Sequence, residues 1–262
     1  MRTKRRVLRL TYRFPAFAAV LFWHALMFVL IPINRRTLKG RARWLSRASR
    51  GVLRTIGVTL TVSGTPPTST VIAANHLSYL DILVLSAFTP TVFVAKKEVR
   101  RWPLFGWFAR MAGTLFIDRS RRTDVVRVGN LIPTVIAEGV SIVIFLEGTS
   151  TNGREVLPFR SSLLGPIARL GIPLTPAALA YSVPPGHRVE SEICWWGEMT
   201  LMPHLLNLFT LSWVHARVGF GSPVPPVSER KLLAAVTRDQ VTILHRAVNE
   251  AQSPTPPQIA GI

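Results

Sequence analysis

From Val58 onward, short runs of β-branched and apolar residues alternate with stretches of helical apolar spacing, the pattern of an α/β domain with a largely parallel sheet flanked by helices. "VTLTVSG" reads as a strand ending at a glycine, and "PPTSTVIAAN" as a turn followed by a buried strand. A helix is expected from about Tyr79 to Phe88, then a strand at "TVFVAKK", an aromatic-rich helical region at "RRWPLFGWFARMAG" and a strand at "TLFID". Between Asp124 and Glu138, Val125, Val128, Leu131, Ile132 and Val135 recur at helical spacing, and Pro133 is expected to kink or divide that helix. "VSIVIFLEG" is another buried strand, "SSLLGPIARLG" a helix and "IPLTPAALAY" a strand, with two more strands at "EICWWGEM" and "WVHARVGFGSPV". A polar helix from Ser228 to about Ala251 closes the domain, "SPTPPQIAGI" reads as a loose tail, and no internal repeat is seen.

The N-terminal pattern differs. Phe14 to Ile33 is nearly uncharged and about long enough, at roughly 1.5 Å per helical residue, to cross a hydrocarbon core of about 30 Å. It leads into a basic stretch rather than a small-residue cleavage site, so it reads as a retained membrane segment. Basic residues flank both of its ends, without the asymmetry of a clean single span. From Arg36 to Ile56, Leu38, Trp44, Leu45, Val52, Leu53 and Ile56 recur at loosely helical spacing among arginines, which suits a helix resting on anionic headgroups. A helical hairpin dipping into one leaflet is favoured over a single span. The division is residues 1–57 as basic, apolar membrane-anchoring helices, 58–251 as the α/β domain and 252–262 as the flexible tail.

Charge sharpens this reading. Of 32 Lys and Arg, 14 fall in residues 1–54, and no Asp or Glu precedes Asp81. Arms that bind nucleic acid do not carry twenty-residue apolar runs, so the basic segment points to a membrane surface and not to nucleic acid. The single Cys194 excludes an internal disulfide and a cysteine-based metal cluster, and a cytosol-facing body is the default.

Candidate chemistry centres on "AANHLSYLDILVL", where His76 and Asp81 adjoin an apolar run. Five residues apart on one continuous helix, their side chains would diverge by about 140°, so they meet only if His76 precedes the helix. Ser78 is a good N-cap with Asp81 three residues on as its capping-box carboxylate, which leaves Asn75, His76 and Leu77 as the loop leaving the strand. Asp81 as a plain cap and His76 as a satisfied core histidine are one reading. The other is a carboxylate that fixes the imidazole tautomer so that the free nitrogen acts as general base. No G-x-S-x-G, H-E-x-x-H or paired cysteine offers a protein nucleophile or metal site, so the hydroxyl to be activated belongs to a substrate.

"NHLSYLD" resembles the H-x-x-x-x-D block of the glycerolipid acyltransferases that include lysophosphatidic acid acyltransferase. "GTLFIDRS" with Asp118 and Arg119 resembles the second block of that family, "IVIFLEGTSTNG" with Glu147, Gly148 and Thr149 its third, usually F-P-E-G-T-R-S, and "GIPLTPAAL" with Pro176 its fourth. The resemblance covers residues 70 to 180, somewhat under half the chain. It implies the fold of that family and transfer of a fatty acyl group from acyl-CoA or acyl-carrier protein, as co-substrate, to a hydroxyl of a membrane lyso-lipid, with no cofactor, metal or covalent enzyme intermediate. By the same resemblance His76 is the base, Asp81 the carboxylate that orients it, Arg119 a contact to an anionic group, and Glu147, Gly148 and Thr149 the acceptor-binding loop. The implied place is the cytoplasmic or inner membrane, with the active site facing the cytosol.

Two departures bear on the acceptor. Leu146 replaces the usual proline, and Ser150 stands where the third-block arginine is expected, a natural bidentate partner for phosphate. The string "EGTSTNGREVLPFRSSLL" looks more like bacterial members that acylate lyso-ornithine lipid, although Arg154 or Arg160 offers a replacement cation; lysophosphatidic acid and lyso-ornithine lipid both stand. The competing readings are a non-catalytic basic lipid-binding module, which has no need of the His76 and Asp81 pair, and a lipid hydrolase, which the absent serine elbow opposes. Trp102, Phe105, Trp107 and Phe108 read either as an acyl-chain tunnel or as ordinary core.

Overall fold

A computed structural model of the chain describes residues 2–33 and 36–251. The tail 252–262 and Arg35 lie outside the described residues. Seven strands form one sheet in the order β1-β7-β6-β2-β5-β3-β4: β1 (Val58–Ser63), β2 (Val71–Ala74), β3 (Thr91–Lys96), β4 (Leu115–Ile117), β5 (Ser141–Ile144), β6 (Leu174–Ser182) and β7 (Val214–Phe220). Neighbours pair in parallel except β6 with β7, which run antiparallel.

The central strands β2 and β5 are buried at every position, as parallel strands covered on both faces must be. Their side chains divide with period two: Ile72, Ala74 and Val143 enter one apolar cluster, and Val71, Ala73, Ile142 and Ile144 the other. The first layer is closed by α2 (Leu38–Thr55), α3 (Leu80–Phe88) and α8 (Leu201–Thr210), the second by α5 (Arg122–Ala137), α6 (Leu164–Leu170) and α9 (Arg230–Glu250). Short helices α4 (Phe105–Met111) and α7 (Val189–Glu192) complete the order.

Three expectations are corrected. Of the kink or division expected at Pro133, the division does not occur, because α5 runs unbroken through it. A mid-helix proline costs about 3 kcal/mol, but Val128, Ile132 and Val135 are buried on both sides of it, each worth about 1.5–3 kcal/mol. "EICWWGEM" is not a strand: one turn of α7 precedes a loop whose Trp195 N–H donates to Leu77 O at 2.8 Å. Ile193 and Cys194 are fully buried there, and a short apolar run reads alike for a strand and for a buried loop. Helix α8, unread in "LMPHLLNLFT", follows it.

The third correction concerns the N-terminus. Helix α1 (Arg2–Leu30) and α2 form a hairpin, α2 starting at Thr37, whose hydroxyl accepts from Gly40 N at 3.1 Å. The apolar side of α2 faces not headgroups but the protein: Trp44, Leu45, Val52 and Leu53 belong to the same core as Leu80, Leu85 and Phe93. Helix α1 packs along α2 and α8. Its Phe17, Ala25 and Phe28 are buried, while Val7, Leu8, Phe22, Trp23, Leu26, Val29 and Leu30 stay exposed. Among the described residues α1 is the helix long and apolar enough to cross a bilayer.

Candidate active site

Chain leaving the C-terminal ends of the adjacent strands β2, β5, β3 and β4 meets at one edge of the sheet, the position where open α/β sheets bind ligands. Asn75 fixes the first of these exits. Its side-chain amide donates to Leu179 O at 3.1 Å and accepts from Leu179 N at 2.8 Å, closing the gap to β6 where β2 has ended. His76 follows, outside any helix, and can therefore turn back toward Asp81 on the first turn of α3.

His76 Nδ1 lies 2.8 Å from Asp81 Oδ2. That same oxygen accepts from Leu77 N at 2.6 Å and Ser78 N at 2.9 Å, while Oδ1 accepts from the Tyr181 hydroxyl at 2.6 Å. Four donors thus converge on a carboxylate that is fully buried. The capping box forms by halves: Asp81 reaches back to Ser78 N, but Ser78 Oγ finds no partner among the described residues, and Tyr79 occupies the N-cap. With Nδ1 as the donor to Asp81, Nε2 keeps its lone pair. The ring lies parallel to Phe145 at 3.9 Å between centroids, so an apolar face holds its plane.

His76 opens onto a cavity of about 330 Å³ that Arg119, Gly148, Thr149, Phe145, Trp102 and Trp195 also line. The structure brings the sequence-derived His76, Arg119, Gly148 and Thr149 together there and leaves Glu147 behind the wall. Glu147 Oε1 accepts from His76 N at 2.7 Å and Oε2 from Leu157 N at 2.9 Å, so its carboxylate ties the loop after β5 to the histidine loop. Burial pushes Glu147 up to about 7, against the two amide donors that favour its charged form.

Gly148 sits at φ +81°, and a Cβ on it would meet Arg119 Nη1 and Arg160 Nε, each at 2.8 Å. The two guanidinium groups therefore flank the backbone of the third block. No ion pair forms with either among the described residues, and Arg119 Nε is buried without a partner. Burial, and after it the charge of Arg160, hold Arg119 below its usual range. Ser150 donates to Trp195 O and does not replace the arginine expected at its position. Arg154, the other candidate cation, pairs with Glu190 at 3.0 Å.

The four aromatics divide. Trp102 lines the cavity, whereas Phe105, Trp107 and Phe108 line a separate apolar groove of about 540 Å³ against Phe14, Phe17 and Phe22 of α1. Sequence reading missed Tyr181 and Phe145, while Arg160, one of its two replacement cations, stands beside Arg119. A phenol inside the alanine-rich strand "PAALAYS" was the available signal, since a buried tyrosine hydroxyl needs a partner.

The family model described as Acyltransferase matches residues 60–180. The lyso-ornithine lipid O-acyltransferase of Brucella abortus is 34% identical over 239 residues, taking in 84% of this chain and 90% of that protein. The 1-acyl-sn-glycerol-3-phosphate acyltransferase of Neisseria meningitidis is 33% identical over 186 residues, 70% of this chain and 72% of that one. The crystal structure of the 1-acyl-sn-glycerophosphate acyltransferase from Thermotoga maritima shares the fold, with TM-score 0.70 at 19% identity, over 97% of this chain and 100% of that chain. Because the likeness runs through nine-tenths of the Brucella protein and includes the loops that carry His76, Arg119 and Gly148, the chain belongs to the acyltransferase family and is an acyltransferase.

Proposed function

We propose that the chain transfers a fatty acyl group from an acyl thioester, acyl-CoA or acyl-carrier protein, to the free hydroxyl of a lyso-lipid during membrane lipid synthesis. The observation that carries this reading is the His76 and Asp81 dyad, set at the wall of a cavity with an unpaired guanidinium on the same wall. His76 Nε2 takes the proton of the acceptor hydroxyl as its oxygen attacks the thioester carbonyl carbon, and Asp81 stabilises the imidazolium so formed. The tetrahedral intermediate collapses, the carbon–sulfur bond breaks, and the proton on His76 passes to the departing thiolate. A thioester has a good leaving group, so a positioned base supplies most of what the protein must add.

Arg119 and Arg160 meet the anionic group of the acceptor headgroup. With serine at position 150 and its hydroxyl bonded to Trp195 O, the reading favours the carboxylate of lyso-ornithine lipid. The likeness to the Brucella enzyme, over 84% of this chain and 90% of that protein, supports that choice. Arg160 beside Arg119 is the observation that favours lysophosphatidic acid as a second acceptor, since two guanidinium groups suit a phosphate dianion.

The site is read as monotopic, at the cytosolic face of the cytoplasmic membrane. The exposed face of α1 supplies the apolar contact. A span through residues 14–33 would carry the α2 surface packed on Val20 and His24, with its Arg47, into hydrocarbon, where each charge costs about 2.5 kcal/mol or more.

The test is acyl transfer by the purified protein in detergent, from a labelled acyl thioester to lyso-ornithine lipid and, in parallel, to lysophosphatidic acid, each with a His76→Ala control. Product from lyso-ornithine lipid, abolished in the control, is expected. A folded protein that yields product from neither acceptor would overturn the reading.

A further inference from the structure

Beside the active-site cavity lies a second, basic concavity of about 380 Å³. Its cations are Lys97, Arg100, Arg121 and Arg127, its carboxylates Asp118 and Asp124, and Phe116 adds an aromatic surface. Only one step of chain separates the two spaces. Lys96 and Arg119 line the reaction cavity, while their neighbours Lys97 and Asp118 line the basic cleft, at and just beyond the C-terminal ends of β3 and β4, which pair in parallel. The partition is the Lys97 and Asp118 ion pair, at 2.5 Å.

We propose that this cleft binds the phosphorylated adenosine end of coenzyme A, holding the nucleotide of an acyl-CoA donor while its thioester lies beside His76. The inference rests on the acyl-transfer reading and deepens it by choosing the donor. Coenzyme A carries its charge at one end, as a 3′-phosphate and a diphosphate, and its thioester at the other, on a flexible arm. Four cations against two carboxylates leave the cleft at +2. Arg100 forms no ion pair among the described residues. The pairs of Arg121 with Asp118 at 3.4 Å and Arg127 with Asp124 at 2.6 Å involve exposed arginines. Such exposed, screened pairs are weak, so their guanidinium groups can turn to a phosphate, which they grip bidentately. Phe116 offers a ring for the adenine. A folded carrier protein would meet a flat or protruding basic patch, whereas this surface is concave and of nucleotide size.

The experiment has a binding arm and a turnover arm, both on the full chain. Adenosine 3′,5′-bisphosphate is titrated calorimetrically into the wild type and into Arg100→Glu/Arg121→Glu, with Arg100→Gln as a milder variant. In parallel, KM is measured for acyl-CoA and for the same acyl group on N-acetylcysteamine, a thioester with no nucleotide. Expected are saturable binding lost in the double variant, a KM for acyl-CoA raised about tenfold or more, and an unchanged KM for the truncated thioester. An unaltered KM for acyl-CoA, or absence of bisphosphate binding to the wild type, would overturn the proposal. Equal KM rises for both thioesters, with loss of binding to anionic vesicles, would make the cleft a lipid contact and overturn it too. Turnover with acyl-carrier protein but not acyl-CoA would do the same while leaving the acyl-transfer reading intact. Bisphosphate binding lost in the variant, in a chain that transfers from no donor, would sink the function and keep the cleft.

Discussion

Replacing Tyr181 by phenylalanine removes one oxygen, 2.6 Å from Asp81 Oδ1, and little volume. Burial first, and the Asp81 charge next, push the Tyr181 phenol well above its ordinary value, so the hydroxyl is a donor throughout the working pH range. A hydrogen bond to a charged group contributes about 1.5–3 kcal/mol. The same bond fixes the orientation of the Asp81 carboxylate, and with it the imidazole plane that must meet the acceptor hydroxyl in the transition state. If the loss appears there, kcat falls between about tenfold and a hundredfold, with KM for either substrate nearly unchanged.

The pH profile separates positioning from packing. Without the phenol, the Asp81 carboxylate is less satisfied and holds a protonated His76 more tightly. The acidic limb of kcat against pH therefore moves to higher pH. A tyrosine that only filled space would lower the melting temperature and leave that limb in place. The assay is acyl transfer at saturating substrate from about pH 5 to 9, well below the melting temperature of the variant. A kcat within twofold of wild type, with an unmoved limb, would refute the assignment.

Glu147 ionises at about 7 in the folded chain against an ordinary 4.5, so the folded state binds more protons than the unfolded state between those values. Stability attached to this group is fully present below pH 4.5 and lost as pH rises through 7, on the order of 3 kcal/mol; Glu147→Gln should flatten the melting temperature across that window, and an unchanged slope would contradict it. Arg13 is buried and donates to Phe209 O, Leu211 O and Ser212 O, so Arg13→Met should cost about 2–4 kcal/mol and expose α1 to limited proteolysis, whereas an intact α1 under protease would count against the contact. Gly148→Ala places a Cβ at φ +81° against Arg119 and Arg160; KM for the acceptor should rise about tenfold in steady-state kinetics while KM for the donor holds.

The dyad was legible because its two members and both amides that join them lie within six residues, where helix geometry alone decides whether they meet. Tyr181, a hundred residues away, enters only through the pairing of β2 with β6, and no local pattern announces that register. Glu147 shows the converse. Its block was readable, but whether its carboxylate faced the cavity or the backbone depended on Leu157 returning beside it. For α2, arginines among apolar residues fit a headgroup surface and a protein core equally well. The discriminating sign was size: Ala42, Ser46, Ala48 and Ser49 are buried, and small residues serve close helix packing, where a lipid-facing helix shows Trp, Phe and Leu.

The N-terminal cations invite a prediction of strong salt dependence, and their placement argues otherwise. Arg6 donates to the side chains of Asn207 and Thr210, Arg9 to Thr210 O, and Arg13 to Phe209 O and Leu211 O, all at the C-terminal end of α8. Arg36 donates to Val29 O and Ile31 O at the end of α1, Arg41 to Met111 O at the end of α4, and Arg50 to Ala87 O near the end of α3. Six of the fourteen cations thus satisfy groups where each helix leaves acceptors unpaired and its dipole is negative. They are anchors within the protein before they are contacts to lipid. The exposed apolar face of α1 then carries most of the membrane affinity, at about 25 cal/mol per Å² of apolar surface covered. Raising salt from 0.1 to 1 M shortens the screening length from about 10 to 3 Å. Across that range the wild type should stay on anionic vesicles in a flotation assay, and a variant with Phe22, Trp23 and Leu26 all changed to serine should be released. Release of the wild type to the same extent would show that charge, not the apolar face, holds the protein at the surface.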